Sequence, residues 1–366
     1  MKPIRVLSTA FDLLAEIDNY ESMSLVRSWH GMGEIEIRIN RYKQHTDQLV
    51  KGNLILVGSQ LNKAFIIRHR EIELDENGKA SENWLIKGLA LKSITGQRIT
   101  VPPDTLAYDS ISANAETVMK LYVSNNIISP VDPNRSIAQM VNALNMNRGS
   151  SITWQSRYKN LAEELSDISL NSGLGWIVSL DILQKQLVFD VLEGKDLTVN
   201  QTVNPPVIFS PQFDSLKSLS FTESDLNYKN VGIVGGQGEG AARSITEVGT
   251  GSGLNRHEVF IDARDIDGDL AVRGQQKLQE FLTEQYLEGQ ILTNSPFKYE
   301  IDYDLGDVVT VQNKDWYVTM DTRITEIKEF YEVSGFKIEA TFGNNRPTLI
   351  QKIKQELSQI SGEVRK

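Results

Sequence analysis

No cysteine occurs in the 366 residues, which removes disulfides, thiolate metal centres, iron–sulfur clusters and cysteine nucleophiles and suits folding in a reducing cytosol. Basic residues are also short: 38 Lys and Arg face 48 Asp and Glu, a formal charge of -10. Phosphate binding needs clustered cations, so the surplus of acid argues against a general nucleic-acid binder, although not against an acidic lumen past which DNA slides. No apolar run approaches about 18 residues, and no membrane-spanning segment is expected. Lys2 and Arg5 are followed by Asp12, Glu16 and Asp18 rather than an unbroken apolar stretch, so a signal peptide is not expected either. The four histidines, His30, His45, His69 and His257, form no H-E-x-x-H pair, because Ile261 stands where a second His would follow His257-Glu258. Neither a nucleophile elbow nor a phosphate-binding Walker loop is present.

What is present is an ordinary globular composition, 40% hydrophobic and 23% charged with 10 Pro. The length favours two or three domains. Ile35, Ile37 and Ile39 alternate with Glu34, Glu36 and Arg38, the period of a half-buried strand, and residues 54–57 and 65–74 continue that character. Asn77-Gly78 predicts a tight turn before the pattern resumes at Trp84. Residues 1–105 therefore read as mostly β, and Pro102-Pro103 closes them.

Helical spacing follows. Val118, Leu121 and Tyr122 predict one short helix, and Ile137, Met140, Val141 and Leu144, after the Asp132-Pro133 start signal, predict a second. Trp154, Tyr158, Leu161, Leu165 and Ile168 predict a longer helix over about 153–169. Residues 176–180 and 186–192 then read as two strands, giving a helix on a hairpin. After Pro205-Pro206, residues 209–234 look extended, and the Gly-rich 235–253 reads as a loop or loose hairpin. Leu278, Phe281, Leu282, Gln285 and Tyr286 predict a helix over about 272–288 with Gly289 as its stop. Residues 297–342 are β again. Ile350, Ile353, Leu357 and Ile360 recur at intervals of 3, 4 and 3, a seam suited to self-association or to docking of one helix on its own subunit.

Three patterns imitate functional motifs. Val231-Gly232-Ile233-Val234 leading into Gly236, Gly238 and Ala241 resembles a dinucleotide fingerprint, but the following residues lack the period of the helix that such a site needs. The segment 265–269 is rich in Asp, yet setting Gly268 at the sixth position of a calcium loop leaves Ala263 and Gly274 at the first and twelfth. It reads better as an acidic lead into a helix. Trp29, Trp84, Trp154, Trp176 and Trp316 are dispersed, and core packing is their expected role.

A family resemblance lies in the order of several segments. Tyr303-Asp304-Leu305-Gly306-Asp307-Val308-Val309, Arg323-Ile324-Thr325-Glu326-Ile327 and Thr341-Phe342-Gly343 are similar to the ending of tailed-phage baseplate hub proteins. Trp154-Gln155-Ser156-Arg157-Tyr158, Gly173-Leu174-Gly175-Trp176, residues 189–196 and residues 221–232 resemble hub-type tail proteins of siphophages, so the likeness spans about residues 2–345. The resemblance implies an α+β, β-rich, multidomain fold with two β-barrel-like ring domains, α/β outer domains and a C-terminal helix. By that resemblance, residues 1–105 form the first ring domain and 106–200 an α/β outer domain. Residues 201–254 and 290–345 form the second ring domain, 255–289 an outer helical segment and 346–366 the C-terminal helix. It further implies a homotrimer in the virion tail, assembled in the host cytoplasm. That ring would join the tail tube to the tip, contact a distal tail protein and tape-measure or tip proteins, and meet DNA only in passage. Relatives with a further C-terminal lysin domain extend beyond the point where this chain stops, so that domain is expected to be missing. No catalytic, cofactor-binding or metal-binding residue is expected; Ile350, Ile353, Leu357 and Ile360 are the candidate self-association residues. A cell-wall hydrolase with carboxylates supplied by separate loops is the alternative, and a nucleotide-dependent enzyme around Gly236 and Gly238 a third reading.

Overall fold

The computed structural model describes residues 1–74, 78–79 and 81–343. The Asn77-Gly78 turn as a unit and the seam of Ile350, Ile353, Leu357 and Ile360 lie outside the described residues.

The first strands are β1 (Ile4–Leu7), β2 (Leu13–Ile17), β3 (Ser22–Ser28), β4 (Glu34–Asn40), β5 (Leu54–Val57), β6 (Ala64–Glu71) and β7 (Asn83–Ala90). In β4 the alternation works as read: Ile35, Ile37 and Ile39 are buried while Glu34 and Arg38 face solvent. Each such isoleucine contributes about 1.5–3 kcal/mol by leaving water. They pack with Leu25, Phe65 and Ile86 in one core.

A second segment follows, with β8 (Asp109–Asn114), α1 (Ala115–Val123), β9 (Met140–Asn142), β10 (Ser151–Ser156), α2 (Leu161–Ser172), β11 (Gly175–Asp181) and β12 (Gln186–Leu192). Both helices begin on asparagine caps: Asn114 accepts from the Thr117 N–H, and Asn160 from those of Ala162 and Glu163. Gly173, at φ 75, ends α2 in the left-handed conformation. Two sequence expectations fail here. Trp154 lies on β10, paired with β8, and Tyr158 sits at φ 50 in the connection, so the helix starts only at Leu161; their spacing matched a helix by coincidence. Asp132 does cap a turn at Pro133–Arg135, but Met140 and Val141 then form β9 alongside β12 rather than a helix. Leu144 is exposed.

The remaining elements are β13 (Asp196–Leu197), β14 (Ile208–Phe209), β15 (Leu216–Ser224), β16 (Val231–Gly235), β17 (Ile245–Gly249), β18 (Glu258–Asp262), α3 (Leu270–Leu278), β19 (Glu284–Ile291), β20 (Val308–Asn313), β21 (Val318–Glu332) and β22 (Gly335–Phe342). Strands β16–β18 make a small sheet under α3. The helix expected over 272–288 stops at Leu278, and Tyr286 and Gly289 belong to β19. Burial along β19 alternates, and at Gly289 a Cβ would come 2.9 Å from the Ser218 carbonyl, so this glycine permits close strand approach instead of stopping a helix.

Strands from both ends of the chain join in one sheet with the order β15-β19-β22-β21-β3-β4-β7-β6-β5-β1-β2, and β20 carries β13 and β14 beside β21. The barrel-like closure expected from sequence is not seen: this sheet is open among the described residues. It is instead a duplicated pattern. The path β3-β4-β7-β6-β5 repeats as β15-β19-β22-β21-β20, with every neighbouring pair antiparallel. The match extends to single residues. A register break falls between Ile67 and His69 in β6 and between Ile324 and Glu326 in β21. Gly52 and Gly306, at φ 96 and 94, donate to the Ile67 and Ile324 carbonyls, and Ile67 and Ile324 donate back to Asn53 and Asp307. The copies differ at one margin, where β1 is antiparallel to β5 but β13 and β14 are parallel to β20.

Candidate functional site

The two strand patterns meet where the C-terminal half of β21 pairs with β3, from Glu326 opposite Ser28 to Glu332 opposite Ser22. The chain leaving β3 makes the centre of a three-way junction. Trp29 donates its backbone N–H to the Thr325 carbonyl and its indole N–H to Gly173 at 3.1 Å. Its ring is wedged between Gly175 at the start of β11 and Gly306 before β20; a Cβ would lie 2.4 Å from the ring at the first and 2.0 Å at the second. Only glycine at both positions lets three segments converge on one indole. The Arg323 guanidinium stands 5.4 Å from that ring and donates to the Glu193 carbonyl at 2.9 Å.

Beside it, the Trp176 indole donates to the His30 carbonyl at 2.9 Å, and His30 Nδ1 lies 2.7 Å from Ser169 Oγ. Lys92 is almost wholly buried, donates to the Ser28 carbonyl at 2.7 Å and stands 4.7 Å from the Trp176 ring. Among the described residues no carboxylate pairs with it. Burial therefore pulls the Lys92 ammonium down to about 7, with the Arg27 charge acting in the same direction. Burial, followed by the charges of Lys92 and Arg323, lowers His30 to about 3, so its imidazole is neutral at physiological pH.

A second cluster ties the same modules together. Lys63, in the β5–β6 connection, is fully buried and pairs with both Glu329 of β21 and Glu300 of the β19–β20 connection. Glu329 also accepts from the hydroxyls of Tyr299 at 2.8 Å and Tyr331 at 2.6 Å. Burial works to raise its carboxyl, but Lys63 and these donors hold it below the usual carboxylate range. Arg27 of β3 donates to Tyr299 at 2.8 Å and to Asp304 at 2.7 Å. The carboxylates here are engaged by cations and phenols, which is the chemistry of a clamp.

The residues singled out from sequence are scattered. Gly236 and Gly238 lie in the β16–β17 hairpin, followed by a single 3-10 turn at Gly240–Ala242, so no helix N-terminus faces them. Asp265 pairs with Lys159 at 2.5 Å and Arg273 at 2.5 Å, and Asp269 caps α3 through the Ala271 and Val272 N–H groups. His69 pairs with Glu71 at 2.8 Å, and His257 packs edge-on to Tyr228. Among the described residues no group of His, Asp and Glu is arranged to hold a metal, and no helix is long and apolar enough to cross a membrane. Trp316 is 46% exposed, against its expected core role. An open cleft of about 510 Å³ is lined by Glu223, Asp225, Tyr228 and His257, and an aromatic one of about 330 Å³ by Phe297, Tyr299, Tyr303 and Tyr331. Sequence reasoning missed the junction itself. Lys63 and Lys92 carry no local signal of burial, although the Gly173-x-Gly175 and Gly306 positions mark where something must approach closely.

Comparison with known proteins places this architecture among phage tail proteins. Similar solved structures are the 43 kDa tail protein of prophage MuSo2 from Shewanella oneidensis, the prophage tail protein gp18 from Listeria monocytogenes and a tail protein from Neisseria meningitidis. The first is 11% identical with a TM-score of 0.58, covering 93% of this chain and 98% of that one. The second is 14% identical with a TM-score of 0.54, covering 99% and 100%. The third is 12% identical with a TM-score of 0.54, covering 93% and 96%. The chain belongs to the Siphovirus ReqiPepy6 Gp37-like protein family, which it matches over residues 3–344. No curated protein matches it in sequence.

Proposed function

We propose that the chain is a structural component of a phage or prophage tail tip, three copies of which form a hub ring joining the tail tube to the tip. The observation that carries this reading is the duplicated strand pattern. Three subunits with two equivalent modules each present six similar units to a sixfold tube, and cyclic closure stops further growth. In this reading residues 1–105 supply the first ring module, the large-sheet strands after residue 195 the second, and the segments carrying α1, α2 and α3 face outward. The partners would be a distal tail protein and tape-measure or tip proteins, with DNA passing through the lumen. The clamp around Lys63 and Glu329 fits such a role, since it fixes one module against the other and leaves no open pair of acid and base.

Electron microscopy of the purified chain tests the reading. Rings with a central opening wide enough for duplex DNA are the expected result; compact particles without an opening would overturn it. Reproducible dye release from purified cell wall would instead favour a tail-associated hydrolase.

A further inference from the structure

The junction between β21 and β3 is one of two edge contacts that a duplicated sheet requires. The strand of the first module equivalent to β21 is β6, and the strand of the second equivalent to β3 is β15. Among the described residues both have open edges. Beyond Ile67, β6 is paired only with β7, because β5 ends its pairing at Ile66. β15 terminates the sheet and is paired only with β19. Edges of this kind invite another strand unless something covers them.

The equivalence also fixes a register. The shared bulge and the shared glycine turn align His69 with Glu326, Arg70 with Ile327 and Glu71, the last residue of β6, with Lys328; the same offset carried three residues further sets Leu74 with Tyr331. The pairing of β4 and β19 with their neighbours aligns Ser224 with Ser28 and Glu223 with Arg27, and so on to Leu219 with Met23. We infer that the 69–74 edge of one copy pairs antiparallel with the 219–224 edge of a second copy of this chain, in the register that β21 and β3 use within the chain. His69 then faces Ser224, Arg70 faces Glu223, Ile72 faces Phe221 and Leu74 faces Leu219. The Asp225 N–H falls on the Arg68 carbonyl, as the Trp29 N–H does on Thr325.

The side chains agree with this register. Arg70 and Glu223 are opposite in charge. Among the described residues Glu223 has no ion-pair partner, and Arg70, whose guanidinium stacks 3.8 Å from the Trp84 ring, has its Nε shielded from water without a hydrogen-bond partner. Leu74 is 67% exposed, and Phe221 and Leu219 are only partly covered. A register slipped by one residue would turn these three apolar groups to the opposite face from their partners. The contact is head-to-tail, one edge on a different edge, so it propagates until a ring closes. The inference rests on the hub reading only for closure at three copies, not for the pairing.

The chain's lack of cysteine makes the test direct. Two single-cysteine chains, Glu73→Cys and Ser220→Cys, are mixed and oxidised. Opposed residues of an antiparallel pair lie about 4.5–5.5 Å apart at Cα, within disulfide range, while a partner two residues along is beyond it. Cross-linking of 73 to 220 is expected, with none from Glu73→Cys to Thr222→Cys. In light scattering the full chain is expected at about 123 kDa, three times 41.1 kDa. Arg70→Glu is expected to weaken association at least about tenfold, and Arg70→Glu with Glu223→Arg to restore it. Trimers without the 73–220 cross-link would overturn the pairing and leave the hub intact. The cross-link in a ladder running past three copies would support the pairing and remove the closed ring. A chain that stays at 41.1 kDa and forms no cross-link would overturn the inference.

Discussion

Lys63→Met asks how much of the junction depends on one buried charge. The substitution keeps the volume of the stem but strips Glu329, fully buried, of its cation, leaving the Tyr299 and Tyr331 hydroxyls as its donors. Breaking a buried pair from one side costs about 3–5 kcal/mol, mostly from the stranded charge. Glu329→Gln is milder, about 1–2 kcal/mol, because Lys63 keeps Glu300 and the amide oxygen still accepts from tyrosine. With both changes no charge is stranded at position 329, so the double variant is expected to lose about 2–3 kcal/mol, well under the sum. Urea unfolding followed by tryptophan fluorescence reads all four corners of the cycle, and Trp29 near the junction reports on it. Simple additivity of the two substitutions would refute the clamp.

Trp29→Ala is expected to cost about 3–5 kcal/mol and to speed amide exchange around Gly173 and Trp176, because the cavity opens between Gly175 and Gly306; unchanged exchange there would contradict the wedge. His30 titrates at about 3 in the fold against 6.5 for the free side chain, so its contribution is complete above about pH 6.5 and is lost as pH falls toward 3. Urea midpoints measured down the acid limb should flatten in His30→Gln. Lys92, at about 7 against 10.5, works on the other limb: the unfolded chain holds the proton more tightly, so stability rises between about pH 7 and 10.5, and Lys92→Met should abolish that rise. Asp269→Ala removes the cap of α3 and is expected to cost about 0.5–2 kcal/mol, with exchange at Ala271 and Val272 rising first.

Strands with one buried face were readable from the residues, because alternation along Ile35, Ile37 and Ile39 records burial directly. The helix at Ala115–Val123 was readable from the spacing of Val118, Leu121 and Tyr122, while the start signal at Asp132-Pro133 led only to a short turn. Helices were misread where a strand abutted a helix: Trp154 and Tyr158 extended the Leu161–Ser172 period backward, and Gln285 and Tyr286 extended that of Leu270–Leu278 forward. A window that averages over both elements cannot see a change of period between them. The junction was not readable, because Lys63, Lys92 and Trp29 become special only through partners that are distant in sequence. The segment order that pointed to tail proteins worked because it sampled those distant pieces together.

The pairing of β3 with β21 also sets the order in which the molecule can be finished. These strands lie about 300 residues apart, so at 5–20 residues per second β3 waits roughly 15–60 s during synthesis for its neighbour. Throughout that interval the N-terminal module carries a bare edge and an unseated Trp29. The final strands are therefore the step that converts a vulnerable nascent sheet into a finished one, and chains interrupted before residue 332 would be released with an edge open to proteases and to one another.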